Sequence, residues 1–99
     1  MIIYNVTINI DDSVHEEWVK WMKAKHIPDV IATGCFSSGS MYKLLVEEQS
    51  GTSYAIQYRA PNINAINRYM ENFAPALRKE VEDIYGGKFT AFRTLLEEV

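Results

Sequence analysis

The stretch HIPDVIATGCF, residues 26–36, carries one of the two histidines and the only cysteine of the chain. An imidazole exchanges protons near neutral pH, so His26 at the mouth of a pocket is a candidate general acid or base. The competing reading is structural. At the C-terminal end of a helix the same ring suits the dipole and the free carbonyls. Cys35 closes the same connection and would be a nucleophile if its thiolate paired with the imidazole. Otherwise it is a small buried residue at a strand start, as most free cysteines are.

Aromatic side chains supply a second set of candidates. Tyr4, Trp21 (or Trp18), Phe36, Tyr54, Tyr58 and Phe73 are expected to point into the space between a sheet and its helices. A stripe of large rings is ordinary core, but converging hydroxyls in an apolar cleft are also how a small-molecule pocket looks. Arg59 and Arg93 could hold an anion, or pair with acids at the surface. The candidate ligand-binding set is therefore Tyr4, Trp21, Phe36, Tyr54, Tyr58 and Arg59, with His26 as the candidate catalytic residue. Asp11, Asp12 and Glu16 form an acidic cluster, with His15 beside Glu16 and Glu17 expected on the outside of the helix. A solvated helix N-terminus explains them, so neither a metal site nor a cofactor is expected.

The elements that position these residues follow from periodicity. Residues 2–10 alternate, with Ile2, Tyr4, Val6, Ile8 and Ile10 on one face and Ile3, Asn5, Thr7 and Asn9 on the other, which predicts a strand. Ser13 and Glu16 have capping-box spacing, and Val14, Trp18, Trp21 and Met22 continue a helical stripe. Pro28 disfavours helical geometry at Ile27, so this helix is predicted to end near His26, with a short turn from Pro28 closed by Gly34. A hairpin follows, its second strand placing Tyr54, Ile56 and Tyr58 on one face and Ala55, Gln57 and Arg59 on the other. A second helix is predicted from Ile63, Ile66, Met70, Phe73, Leu77, Val81 and Ile84, bent at Pro75 and closed by Gly86 and Gly87. A last strand ends the chain. The order β-α-β-β-α-β gives a ferredoxin-like α+β fold, an antiparallel sheet with both helices on one face.

Length and composition bound what such a fold can do. Ninety-nine residues make a single domain, 1–99. A net charge of −3 and the acidic flank EEQSG before the third strand argue against nucleic acid, although RNA-recognition modules share this strand order. No basic run suits an anionic membrane, and no apolar run is long enough to span one. The N-terminus lacks the pattern of a signal peptide, and one cysteine permits no internal disulfide, so the expected compartment is the cytoplasm. The mixed outer face of the sheet suits pairing with a second copy of the chain.

The segments WVKWMKAKHIPDVIATGCF and NFAPALRKEVEDIYGGKF, with the hairpin between them, resemble a small bacterial family of unknown function in the dimeric α+β barrel superfamily. The resemblance covers essentially the whole chain. It implies a homodimeric barrel with the helices outside, and relatives that are monooxygenase-like, isomerase-like or haem-degrading. Haem-degrading relatives bind iron through a histidine on the second helix, and this chain has none there. The expected function is therefore binding of a small organic molecule by a homodimer, with cofactor-independent monooxygenase-like or isomerase-like chemistry. The alternative is a non-enzymatic ligand-sensing or protein-interaction dimer.

Overall fold

The computed structural model describes residues 1–99. Four strands, β1 (Ile2–Ile10), β2 (Ser38–Lys43), β3 (Thr52–Ala60) and β4 (Phe89–Glu97), form one antiparallel sheet in the order β2-β3-β1-β4. The alternation of β1 sets the register: Ile2 faces Ala60 and Ile10 faces Thr52, so the apolar parity of β1 joins that of β3. Tyr4, Val6, Ile8, Ile10, Ile56 and Tyr58 are all buried beneath the helices. The ferredoxin-like arrangement agrees with the order expected from sequence.

The first helical stretch departs from expectation. Helix α1 (His15–Trp21) does not stop at His26 but runs through a π-helical turn, Met22–His26, into α2 (Ile27–Ala32). The Ile27 amide bonds to the Met22 carbonyl five residues back, which marks the wider turn. Pro28 then falls at the start of α2, where its missing N–H costs little. A proline that would end a regular helix is thus absorbed by a turn with one extra residue. Gly34, at φ +78°, closes α2 in the left-handed region that favours glycine.

The predicted capping box also does not form. The Asp11 carboxylate takes the Ser13 amide at 2.8 Å, residues 12–14 turn, and α1 starts only at His15 without a side-chain cap. This brings His15 down onto β3, half-buried, with its Nε2 2.6 Å from the Tyr54 hydroxyl. It is not the free surface residue expected.

The second helix is two helices, α3 (Ile63–Asn72) and α4 (Ala74–Tyr85), broken at Phe73, whose φ of −126° leaves the helical region. Asn62 caps α3 by accepting the Ala65 amide at 3.0 Å. Pro75 sits in the first turn of α4, the position a proline tolerates. The break rotates the apolar face: Ala65, Ile66, Tyr69, Ala74, Val81 and Tyr85 are buried, while Ile63 and Ile84 of the predicted stripe are exposed. Beyond α4, Gly87 takes φ +80°. No helix is long and apolar enough to cross a membrane.

Candidate functional site

A cavity of about 470 Å³ opens between the helix-facing side of the sheet and α4. Its floor is Tyr4, Val6 and Ile8 of β1, Ile56 and Tyr58 of β3, and Phe89, Ala91 and Arg93 of β4. Met22 and His26 of the π turn, Tyr69 of α3, and Leu77, Arg78 and Val81 of α4 supply walls. The lining is mainly apolar, with a few polar groups, and the volume lies within the range of small-molecule sites.

At one end four rings pack together. Phe36 meets Tyr69 edge-on with centroids 4.9 Å apart, and Tyr58 at 5.3 Å, while Tyr4 lies 5.7–6.1 Å from the other three. Tyr58 is held partly by what lies opposite it on β2: a Cβ at Gly39 would come 2.9 Å from its ring. The Tyr58 hydroxyl is buried with no hydrogen-bond partner, and burial pushes its pKa far above the usual tyrosine value. Burial likewise raises Tyr69, aided by Tyr4 and opposed by Arg78 and Arg93. Both phenols are therefore neutral donors at physiological pH. Tyr4 differs, because its oxygen accepts from Arg78 Nη2 at 3.2 Å and from Arg93 Nε at 3.1 Å.

His26 stacks on Trp21 with ring centroids 5.3 Å apart, and its Nδ1 is buried without a partner. Burial lowers its pKa below the ordinary 6.5; the carboxylates of Glu80 and Asp29 oppose this, and Lys25 adds to it. The imidazole is thus neutral at pH 7 and able to take a proton. The sign of its pH dependence follows. As pH falls below 6.5, the unfolded chain binds a proton that the folded ring resists, so stability is lost on the acid side. His26→Gln is expected to flatten the fall in melting temperature between about pH 6.5 and the lowered folded value. Parallel wild-type and variant profiles in thermal denaturation would show that the ring is solvated instead.

The structure brings together His26, Tyr4 and Tyr58 on one cavity and sets Phe36 and Trp21 directly behind them. Tyr54 lies elsewhere, against His15 and Trp18, with its ring centroid 5.3 Å from that of Trp18. Arg59 is on the opposite face of the sheet, exposed, donating to Met1 Sδ at 3.6 Å. Cys35 is buried and does not line the cavity with His26; its thiol approaches the Thr33 carbonyl at 4.0 Å. No group of three or more His, Cys, Asp or Glu residues is arranged to hold a metal. Tyr69 and Arg78 were not among the sequence candidates. Arg78 lies four residues before Glu82, a spacing that suggests a solvated helix pair rather than a cavity wall.

Fold and cavity together define a ferredoxin-like α+β protein of the kind found in dimeric α+β barrel structures. The chain belongs to the family described as Domain of unknown function (DUF4286), whose model matches residues 1–99. No curated protein matches it. Among solved structures it is similar to an ethyl tert-butyl ether d (EthD) family protein from Bacillus halodurans, with a TM-score of 0.70, 12% identity and 100% of both chains covered. It is also similar to SnoaB, a cofactor-independent oxygenase from Streptomyces nogalater, with a TM-score of 0.63 and 15% identity, covering 98% of this chain and 91% of that one. A dimeric ferredoxin-like protein from an uncultured marine organism has a TM-score of 0.66 and 7% identity, covering 100% and 95%.

Proposed function

We propose that the chain, acting as one domain, forms a homodimer that holds a small organic molecule in the cavity between sheet and α4. The observation that carries this is the cavity wall itself. About 470 Å³ of mainly apolar space is bordered by Tyr58 and His26, each with a buried polar atom lacking a partner. An unsatisfied buried group costs stability, and a site kept for a ligand is one reason to retain it. The chemistry proposed is cofactor-independent, monooxygenase-like or isomerase-like. Neutral His26 takes a proton from an activated substrate, the phenols of Tyr4 and Tyr58 orient it, and Trp21 and Phe36 fix the rings that line the pocket. The overall likeness to a cofactor-independent oxygenase supports this reading at the level of fold. The compartment proposed is the cytoplasm, where the lone buried thiol of Cys35 stays reduced.

The second copy is assigned to the other side of the sheet. Tyr42, Phe92 and Leu96 are exposed there, with Ile3 and Ala55 between them. Most polar neighbours are satisfied sideways: the Asn5 amide nitrogen donates to Thr7 and Thr94, and Asn9 to Ser53 and the Ser50 carbonyl, while Asn5 Oδ1 is buried without a partner. A face so arranged loses little when water leaves it.

Native mass spectrometry on protein purified without added ligand tests both parts at once. The expected result is a dimer, with additional mass on the wild type that is lost in His26→Ala. A monomer would overturn the assembly. A bare dimer, with no added mass on the wild type, would move the protein toward a non-enzymatic interaction role.

A further inference from the structure

We propose that the molecule held in the cavity is an organic anion, an apolar or aromatic body bearing a carboxylate, with its charge seated between Arg78 and Arg93. This rests on the reading of the cavity as a ligand site and adds the class of ligand.

Two guanidinium groups from different elements, α4 and β4, converge on one phenol oxygen, that of Tyr4, at 3.2 and 3.1 Å. Neither is in an ion pair. The ion pairs of the chain are Lys25 with Asp29 and Glu80, and Lys79 with Asp83. Both residues are exposed, so water screens their repulsion, and the pair presents guanidinium N–H groups that no carboxylate of the chain occupies. Arg78 has an obvious alternative, since Glu82 lies one turn along the same helix, the spacing at which exposed pairs form. It turns to Tyr4 and the Met70 sulfur instead. Lys79 and Asp83, also on the cavity wall, neutralise each other at 2.7 Å, which leaves Glu82 as the one unpaired acid against two unpaired arginines.

The donors match the proposed anion. An arginine presents its N–H groups as a planar fork that fits the two oxygens of a carboxylate. Tyr4 accepts both arginine bonds and donates its own O–H to no group of the protein, so three donors meet where no protein acceptor stands. Val6, Ile8, Leu77, Val81 and Phe89 line the rest of the space and suit an apolar body. His26, on the same wall, then faces the body of the ligand rather than its charge.

A matched pair of probes separates charge from shape: 2-naphthoate and its neutral analogue 2-naphthamide, titrated calorimetrically into the full-length protein. The expected result is that naphthoate binds at least about tenfold more tightly, as charged hydrogen bonds allow. The Arg78→Met, Arg93→Met double variant is expected to lose that preference and to leave naphthamide binding within about twofold of wild type. Arg78→Gln, on an exposed helix position, is the second variant if the double one folds poorly. Equal binding of the two probes to wild type would overturn the anion assignment and leave the pocket standing. Failure of both to bind at millimolar concentration would overturn the ligand-site reading itself.

Discussion

Trp18→Ala is expected to remove about 3–5 kcal/mol of folding stability, the upper range for emptying a buried aromatic site. Trp18 is 0% exposed and is among the largest side chains buried in the core, packed against Tyr54 with centroids 5.3 Å apart. It is the main buried anchor of α1, whose N-terminus has no side-chain cap to help hold the helix. Domains of this kind have roughly 5–15 kcal/mol in all, so the loss would be a large share of the total. Trp18→Phe should cost far less, roughly 1–2 kcal/mol, because the phenyl ring keeps most of the contact while the indole N–H has no partner to lose. Urea denaturation with Trp21 as the remaining fluorophore measures both. A Trp18→Ala cost under about 1 kcal/mol would mean that α1 packs on the sheet by other contacts.

How far the residues announce this arrangement varies along the chain. The β1 and β3 patterns have a period of two, and a shift by one residue would expose Tyr4, Val6, Ile56 and Tyr58 together, so their pairing was legible. The turn at Gly86 and Gly87 was legible because glycine alone takes the left-handed region freely, as Gly87 does; Pro75 announced an interruption, but the break falls at Phe73 and Pro75 begins the next helix. The π turn was not. Nothing in MKAKH distinguishes it from a regular helix, and the rule for Pro28 predicts termination; the chain instead continues through one wider turn, with Met22 and Val30 buried on either side of it. Tyr69 and Tyr85 are buried in place of Met70 and Ile84, because a single stripe drawn over residues 63–84 assumes one helix where the chain forms two, broken at Phe73.

The candidate site divides along the same line. Tyr4 and Tyr58 follow from strand parity, whereas Tyr54, of equal parity, pairs with Ile8 farther along the sheet, where His15 and Trp18 meet it. Parity also puts Arg59 and the cavity on opposite sides of the sheet. The arginines that do reach the cavity sit on α4 and on β4 opposite Val6, and their meeting at Tyr4 is a tertiary fact with no local signal.

The last expected result concerns the open face. Tyr42, Ala55, Thr7 and Phe92 form one row across all four strands, with an exposed aromatic ring at each end: Tyr42 is 51% and Phe92 62% exposed. Packing two such faces about a two-fold axis uses every residue twice, so a single substitution acts at two places. Phe92→Arg removes a ring and adds a charge at each. At about 2 kcal/mol per buried aromatic anchor, the two together weaken association by roughly a thousandfold in Kd. The monomer should be unharmed, since Phe92 supports none of the helix-facing core. Ile84→Arg is the control: 52% exposed on α4, it lies on the helix side of the sheet and should leave assembly unchanged. Sedimentation velocity over a dilution series reads both variants against wild type. A Phe92→Arg protein that dissociates no more readily than Ile84→Arg would mean that the copies meet elsewhere, and the aromatic row would then lie free in the assembly.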